Sequence, residues 1–313
     1  MMKKKINVLI VAKPWQGGLQ NYYYNAFSRN INCSVKIIYS YPNNIKDYLS
    51  YKLNKTVWIK KTLDRINSYN YDFGFYINTA DFLKYVKNKN NCLYLTDNPT
   101  LDKIYKENII KIFISDLGYK KKIKIKGRNI EELPFGLDPI IHKPQRRKND
   151  KKLICSIMNK DPERDKCLQE ILNKGYKIDI YGNYFLRHKF FYRNPNLFYP
   201  SIKNHTQEKI YSKYLISLNI HAGILLSGTN MRTFEASGYK IAQLINYRPG
   251  LDKFFEPDKE ILVFSNISEF ETKLDRLVND KKFYRKIIES SNKRAITEHT
   301  YDQRVIQILS GFN

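Results

Sequence analysis

A chain of 313 residues is long enough for one large domain or two of ordinary size, and a hydrophobic fraction of 42% supplies filled cores, which excludes wholesale disorder. No apolar run nears the ~18 residues that span a bilayer. The net charge of +25 calls for an anionic partner: a phosphate-bearing substrate, an acidic membrane surface or nucleic acid. Part of that charge is background, because Lys is enriched together with Asn, Ile and Tyr along the whole sequence. Residues 1–150 hold 28 basic and 12 acidic side chains against 27 and 18 in residues 151–313, so the first half is the more basic.

In chain order, apolar runs with strand character alternate with amphipathic helical ones, the pattern of parallel sheets covered by helices. The opening MMKKKINVLIVAKPW is a buried first strand rather than a leader, since its apolar run ends at Ala12 and Lys13 follows at once. Strands are expected at 6–12, 34–41, 72–79, 91–97, 111–116 and 131–135, with helices beginning near Leu19, Val57, Asp81 and Gly118. The segment LDPIIHKPQRRKNDKK has two prolines, a dense basic run and little periodicity, and reads as a linker with a boundary near Asn149. Alternation restarts with a strand at 152–158, a helix at 163–175 and a strand at 177–182, then an irregular aromatic stretch RHKFFYRNPNLFYPSI. A helix at QEKIYSKYL, strands at 216–222, 241–247 and 260–266, and a helix at 230–238 follow. Ser268 and Glu271 have the spacing of a capping box, opening a helix whose stripe is Phe270, Leu274, Leu277 and Val278. The fold class is α/β: two Rossmann-like, doubly wound domains facing a central cleft, with ligands at the carboxyl ends of the strands. Cys33, Cys92, Cys155 and Cys167 lack metal-ligand spacing and suit small core residues in a reducing cytoplasm.

The chemistry concentrates in SGTNMRTFEASGYKIAQLINYRPGLDKFF. A strand ending at His221 leads through the polar turn Ser227, Gly228, Thr229 and Asn230 into a helix whose free N–H groups and dipole suit a phosphate. Arg232 in its first turn adds a charge-assisted fork. Glu235, one turn on, can face the same mouth and suits hydroxyls such as a ribose diol. On spacing alone the pair is equally an exposed helical ion pair worth a few tenths of a kcal/mol. Earlier, NKDPERDK sets Asn159, Lys160, Arg164 and Lys166 around a helix start, a phosphate loop or a solvated basic loop. Tyr181 and Gly182 end a strand where a base would lie. Gly17 and Gly18 follow the first strand, a weak glycine-loop signal.

The series Asn230, Arg232, Phe234, Glu235, Ala236, Gly238 resembles the hallmark of group 1 glycosyltransferases of GT-B architecture, in particular their spore-maturation-protein-like branch. The likeness extends over nearly all of 150–310: KLICSIMNKDPERDKCLQEILNKGYKIDIYGNYF and KIYSKYLISLNIHAG upstream, and the closing helices through EHTYDQRVIQIL downstream. It implies an acceptor-side domain over 1–149, a sugar-nucleotide domain over 150–300, and a closing helix over 301–313 that packs back on the first domain. It also implies a nucleotide-sugar donor, a glycan or lipid-linked acceptor, bacterial surface-glycan assembly, and no metal or separate cofactor. Many members carry two glutamates eight positions apart; Glu235 matches the second, the ribose contact, whereas Ser227 stands at the first. An inverting reaction needs a general base. Asp97 and Asp116, at strand ends, and Asp81 are the candidates, each equally suited to capping. A sugar-nucleotide epimerase or a glycerophosphotransferase would use the same fold. The rival class is a basic nucleic-acid-binding protein, for which KKKIKIKGR (120–128) is the sole signal and no recognition motif is present. The same run suits the anionic inner face of a membrane, with the protein cytoplasmic and peripheral.

Overall fold

The computed structural model describes residues 5–15, 18–96, 108–123, 129–144, 152–202 and 206–310. Gly17, Asp97 and the 124–128 part of the lysine run lie outside them. The chain divides into two compact units, one of Met1–Pro134 with Tyr301–Asn313 and one of Phe135–Thr300. The linker segment around Leu137 to His142 thus belongs to the second unit.

The first unit strings together β1 (Ile6–Ala12), α1 (Leu19–Arg29), β2 (Cys33–Tyr39), α2 (Ile45–Leu53), α3 (Lys55–Ser68), β3 (Phe73–Ile77), β4 (Asn91–Leu95), β5 (Lys111–Ile114) and β6 (Ile130–Glu132). All pair in parallel in the order β2-β1-β3-β4-β5-β6. Strands β3 and β4 are buried throughout, as expected where helices cover both faces. The expected helices near Asp81 and Gly118 are single 3-10 turns, Ala80–Lys84 and Leu117–Lys122. Helix α10 (Tyr301–Leu309) completes this unit. Tyr301 stacks on Tyr22 at 5.2 Å, Arg29 grips Asp302 with two 2.8 Å bonds, and Arg304 Nε donates to the Pro134 carbonyl at 3.0 Å. Helix α2, absent from the expected elements, carries no buried residue, although Ile45, Leu49 and Leu53 stand at helical spacing.

The second unit runs β7 (Lys152–Ile157), α4 (Pro162–Asn173), β8 (Asp179–Tyr181), α5 (Lys189–Arg193), β9 (Phe198–Tyr199), α6 (Gln207–Tyr211), β10 (Tyr214–Asn219), α7 (Met231–Gly238), β11 (Ala242–Asn246), β12 (Leu262–Phe264), α8 (Ile267–Asn279) and α9 (Lys281–Glu298). Its parallel sheet has the order β12-β11-β10-β7-β8-β9. The short β9 hides in the stretch expected to be irregular, because two residues give no alternation to read. The expected Ser268 cap is corrected: Asn266 caps α8, accepting from Glu269 N at 3.0 Å, while Glu269 returns a bond to Ser265 N at 2.8 Å. Val278, expected in the stripe, is exposed.

Two glycines set how closely the layers approach. A Cβ at Gly182 would fall 1.7 Å from the Met158 carbonyl oxygen, and one at Gly238 would fall 2.5 Å from that of His142. Backbone cannot yield as a side-chain tip can. Gly182→Ala should therefore force the ends of β7 and β8 apart and cost about 3 kcal/mol. Denaturant midpoints check this, and a parental midpoint would contradict it.

Candidate functional site

Counted from β7, the second sheet has the 3-2-1-4-5-6 order of dinucleotide-binding folds, so the winding reverses between β7 and β10. Beyond their carboxyl ends lie the loops 158–161 and 220–230. Arg164, in the first turn of α4, spans both: Nε donates to the Ile220 carbonyl at 2.7 Å and Nη1 to that of Asn159 at 3.0 Å. Asp161 does the same with a carboxylate, capping α4 while Oδ1 accepts from Gly223 N at 3.0 Å. Asn183, after β8, joins the same edge, accepting from Lys160 N at 2.6 Å and donating its own N–H to Asn159 Oδ1 at 3.3 Å.

The loop after β10 hangs on a buried chain of polar groups. His221 Nδ1 meets the Asn246 carbonyl at 3.0 Å, which can only accept, so Nδ1 carries the proton and Nε2 accepts from Thr229 at 3.0 Å. Thr229 in turn accepts from Thr233 at 2.5 Å, and Thr233 from Asn219 Nδ2 at 2.9 Å. Asn219 and Asn230 pair reciprocally at 2.8 and 3.1 Å. The bond that Nε2 accepts from Thr229 needs a neutral imidazole. Burial drives the His221 pKa down to about 3, with the Arg248 and Arg164 charges acting in the same direction. Gly228 turns the loop with φ +72 and donates to the Pro249 carbonyl at 2.7 Å.

Helix α7 opens at Asn230, which makes no side-chain cap. Arg232 Nη1 donates to Glu235 Oε2 at 2.6 Å. The Glu235 side chain is 0% exposed and that of Arg232 25%, so this is neither the surface ion pair that spacing allowed nor a carboxylate facing an open mouth. The backbone closeness permitted by Gly238 lays the 138–142 turn over α7 and shuts Glu235 in. Its other oxygen faces His142 Nε2 across 3.7 Å. The Asp138 N–H donates to His142 Nδ1 at 2.9 Å, which leaves the ring proton on Nε2, toward the carboxylate. Burial lowers the His142 pKa despite the Glu235 and Asp138 charges. Arg164 is likewise lowered, first by burial, with the Arg232 charge adding to the effect.

Some of the sequence-predicted residues come together and others do not. Asn159, Lys160, Arg164, Gly182, His221, Thr229 and Asn230 meet along the carboxyl edge, with Ser227, Gly228, Arg232 and Glu235 at the start of α7. Lys166 does not join Arg164: two helical positions are ~200° apart, and Lys166 lines a groove of about 300 Å³ with Glu163, Cys167, Asn246 and Asn266. Tyr181 stacks on Tyr199 at 4.7 Å and bonds the Tyr214 hydroxyl at 3.0 Å. Gly18 caps α1 and is buried against Trp15, whose carbonyl it bonds at 3.0 Å. Asp116 is 3% exposed and its Oδ1 accepts from Gly118 N at 2.8 Å, the capping alternative that its strand-end position offered. Asp81 is exposed in a 3-10 turn. Reasoning from sequence passed over Asp161, Asn219, Asn246, His142 and Arg248, which pairs with Glu163. Of these only Asp161 carried a signal, an N-cap directly before Pro162.

Two Rossmann-like units of parallel strands define the GT-B glycosyltransferase fold. Residues 164–310 match the family model described as "Glycosyl transferase-like". The chain is similar to a glycosyltransferase from Rickettsia africae (TM-score 0.69, 12% identity, 98% of each chain covered) and to sucrose-phosphate synthase from Thermosynechococcus elongatus (0.70, 10%, 98% of each). Anabaena HepE in complex with UDP scores 0.65 at 10% identity, over 98% of this chain and all of that one. No curated protein matches the sequence.

Two outcomes follow from the buried charges. Arg232→Met leaves Glu235 enclosed without its guanidinium and should cost about 3 kcal/mol, most of which Glu235→Gln restores in the double variant. Urea unfolding of the single and double variants checks this; a loss below about 0.5 kcal/mol would mark a solvated pair. His221 takes up a proton in the unfolded chain below about pH 6.5 but not in the native one. Stability is therefore full above that pH and falls as the solution is acidified, by up to about 1.4 kcal/mol per unit. The decline between about pH 6.5 and 5 should flatten in His221→Gln, and equal slopes in both proteins would contradict the assignment.

Proposed function

We propose that this protein is a glycosyltransferase that binds a nucleoside-diphosphate sugar at the carboxyl edge of the second sheet and passes the sugar to a hydroxyl of a glycan or lipid-linked acceptor. The observation that carries it is the placement of Arg164 and Arg232 in the first turns of the two helices on either side of the winding reversal. A diphosphate bound there meets both guanidinium groups. The start of α7 adds N–H donors to the same anion. The complexes of similar structures with UDP and UDP-glucose support a uridine nucleotide as the first donor to try.

In the transfer, the acceptor oxygen bonds the anomeric carbon as the bond from that carbon to the diphosphate oxygen breaks. The electron pair stays on the diphosphate, and the acceptor proton leaves with a base or solvent. Arg164 and Arg232 stabilise the charge that grows on the leaving oxygen. Arg164 does so from a rigid seat between two carbonyls. Glu235 acts through Arg232, fixing the plane of its fork. The motif from Asn230 to Gly238 supports a place near the spore-maturation-protein-like branch, and with it a role in surface-glycan assembly.

Titration with UDP, GDP, ADP and dTDP tests the site. One of them should bind and slow hydrogen exchange across 158–166 and 220–238. Arg164→Lys and Arg232→Lys keep the charge but lose the planar fork, and each should weaken that binding about tenfold. Protection confined to the first unit, or parental affinity in both variants, overturns the assignment. A donor scan that releases nucleotide only when an acceptor is present separates transfer from epimerisation.

A further inference from the structure

A helix on a protein surface normally turns its apolar stripe inward. Helix α2 does the reverse. Its outer face carries Ile45, Leu49 and Leu53, which are 80%, 57% and 88% exposed, with Tyr48 beside them. The inward side bears Asp47, Ser50 and Tyr51. The helix is held in place by Tyr51, whose ring sits edge-on to Tyr41 at 5.0 Å and to Trp58 of α3 at 5.6 Å, and by the Asn44 cap. It therefore keeps its position without burying any aliphatic side chain.

The two helices carry exposed lysines: Lys46 and Lys52 on α2, and Lys55, Lys60 and Lys61 on α3. The Lys52 ammonium lies 5.6 Å over the Tyr48 ring and that of Lys55 lies 5.9 Å over Tyr51, so both stems run along apolar surface with their charges outward. The acidic side chains of the two helices are only Asp47 and Asp64, and Asp47 accepts from Asn44 Nδ2 at 2.9 Å. We propose that α2 is an interfacial membrane helix, inserting Ile45, Leu49 and Leu53 among the acyl chains of an acidic bilayer while the lysines of α2 and α3 take its headgroups.

The charge pattern selects this occupant. A second copy of the chain would set five more lysines against these five in a protein of net charge +25. An acidic bilayer meets both features at once, apolar depth for the aliphatic row and negative charge for its flanks. The proposal stands apart from the transferase reading, because binding is measured without donor or acceptor.

The test is flotation of the full chain at low salt with phosphatidylcholine vesicles, with and without phosphatidylglycerol. The parent should float only with the acidic vesicles. The triple variant Ile45→Ser, Leu49→Ser, Leu53→Ser should keep its unfolding temperature, since these side chains lie mostly in solvent, and should partition at least about tenfold less. Emission from a Leu49→Trp variant should shift to the blue on acidic vesicles and stay unchanged on neutral ones. A parent that does not float, a triple variant that floats like the parent, or an unshifted emission overturns the proposal. Self-association that the triple variant abolishes, without vesicle binding, assigns the face to a second copy instead.

Discussion

The guanidinium of Arg164 is the tie on which the candidate site depends. In an open parallel sheet the loops on either side of a winding reversal part from one another, because their connections run to opposite faces. Arg164 closes that gap from α4 by bonding the carbonyls of Asn159 and Ile220, and Asp161 adds a second tie through Gly223 N. Both residues sit in the first turn of one helix or at its cap, so the placement of α4 fixes the spacing of the two loops. Neutral side chains of the same length would leave these carbonyls without a charged donor.

Behind this edge the polar interior is continuous. The chain from Asn219 through Thr233, Thr229 and His221 to Asn246 links β10, the start of α7 and β11 in one sequence of hydrogen bonds with a single consistent set of donors. The enclosed Glu235 with Arg232 carries a further bond within α7, while His142 lies 3.7 Å from the other carboxylate oxygen, an electrostatic neighbour rather than a link of the chain. Such networks are stiff because each member left unpaired would incur its full desolvation cost. The side chains of the carboxyl edge are thereby held in one arrangement.

The first unit shows a different economy. Its core is closed by α10, which returns from the far end of the chain to stack Tyr301 on Tyr22 and lock Asp302 to Arg29. Its periphery leaves α2 outside that core, with aliphatic side chains in solvent and lysines around them. One unit thus combines a filled aromatic interior with an apolar face turned outward.

The sequence by itself determined the alternation of strands and helices, the doubly wound class and the residues at the helix starts, because these depend on periodicity and local caps. Strand β1 and the start of α1 stand where the pattern put them. It also marked Arg164, Arg232 and Glu235 as one neighbourhood. Only the tertiary structure decided which way those side chains face. Lys166 turns away from Arg164 because a helix rotates by ~100° per residue. Asp116 spends its carboxylate on a cap. Glu235 is buried because Gly238 lets a remote backbone turn lie over α7, and His142 becomes its neighbour through the same approach. β9 escaped because two residues give no alternation to read, and α2 because helical spacing of Ile45, Leu49 and Leu53 does not say which way the row faces; only Tyr51 against Tyr41 and Trp58 decides that.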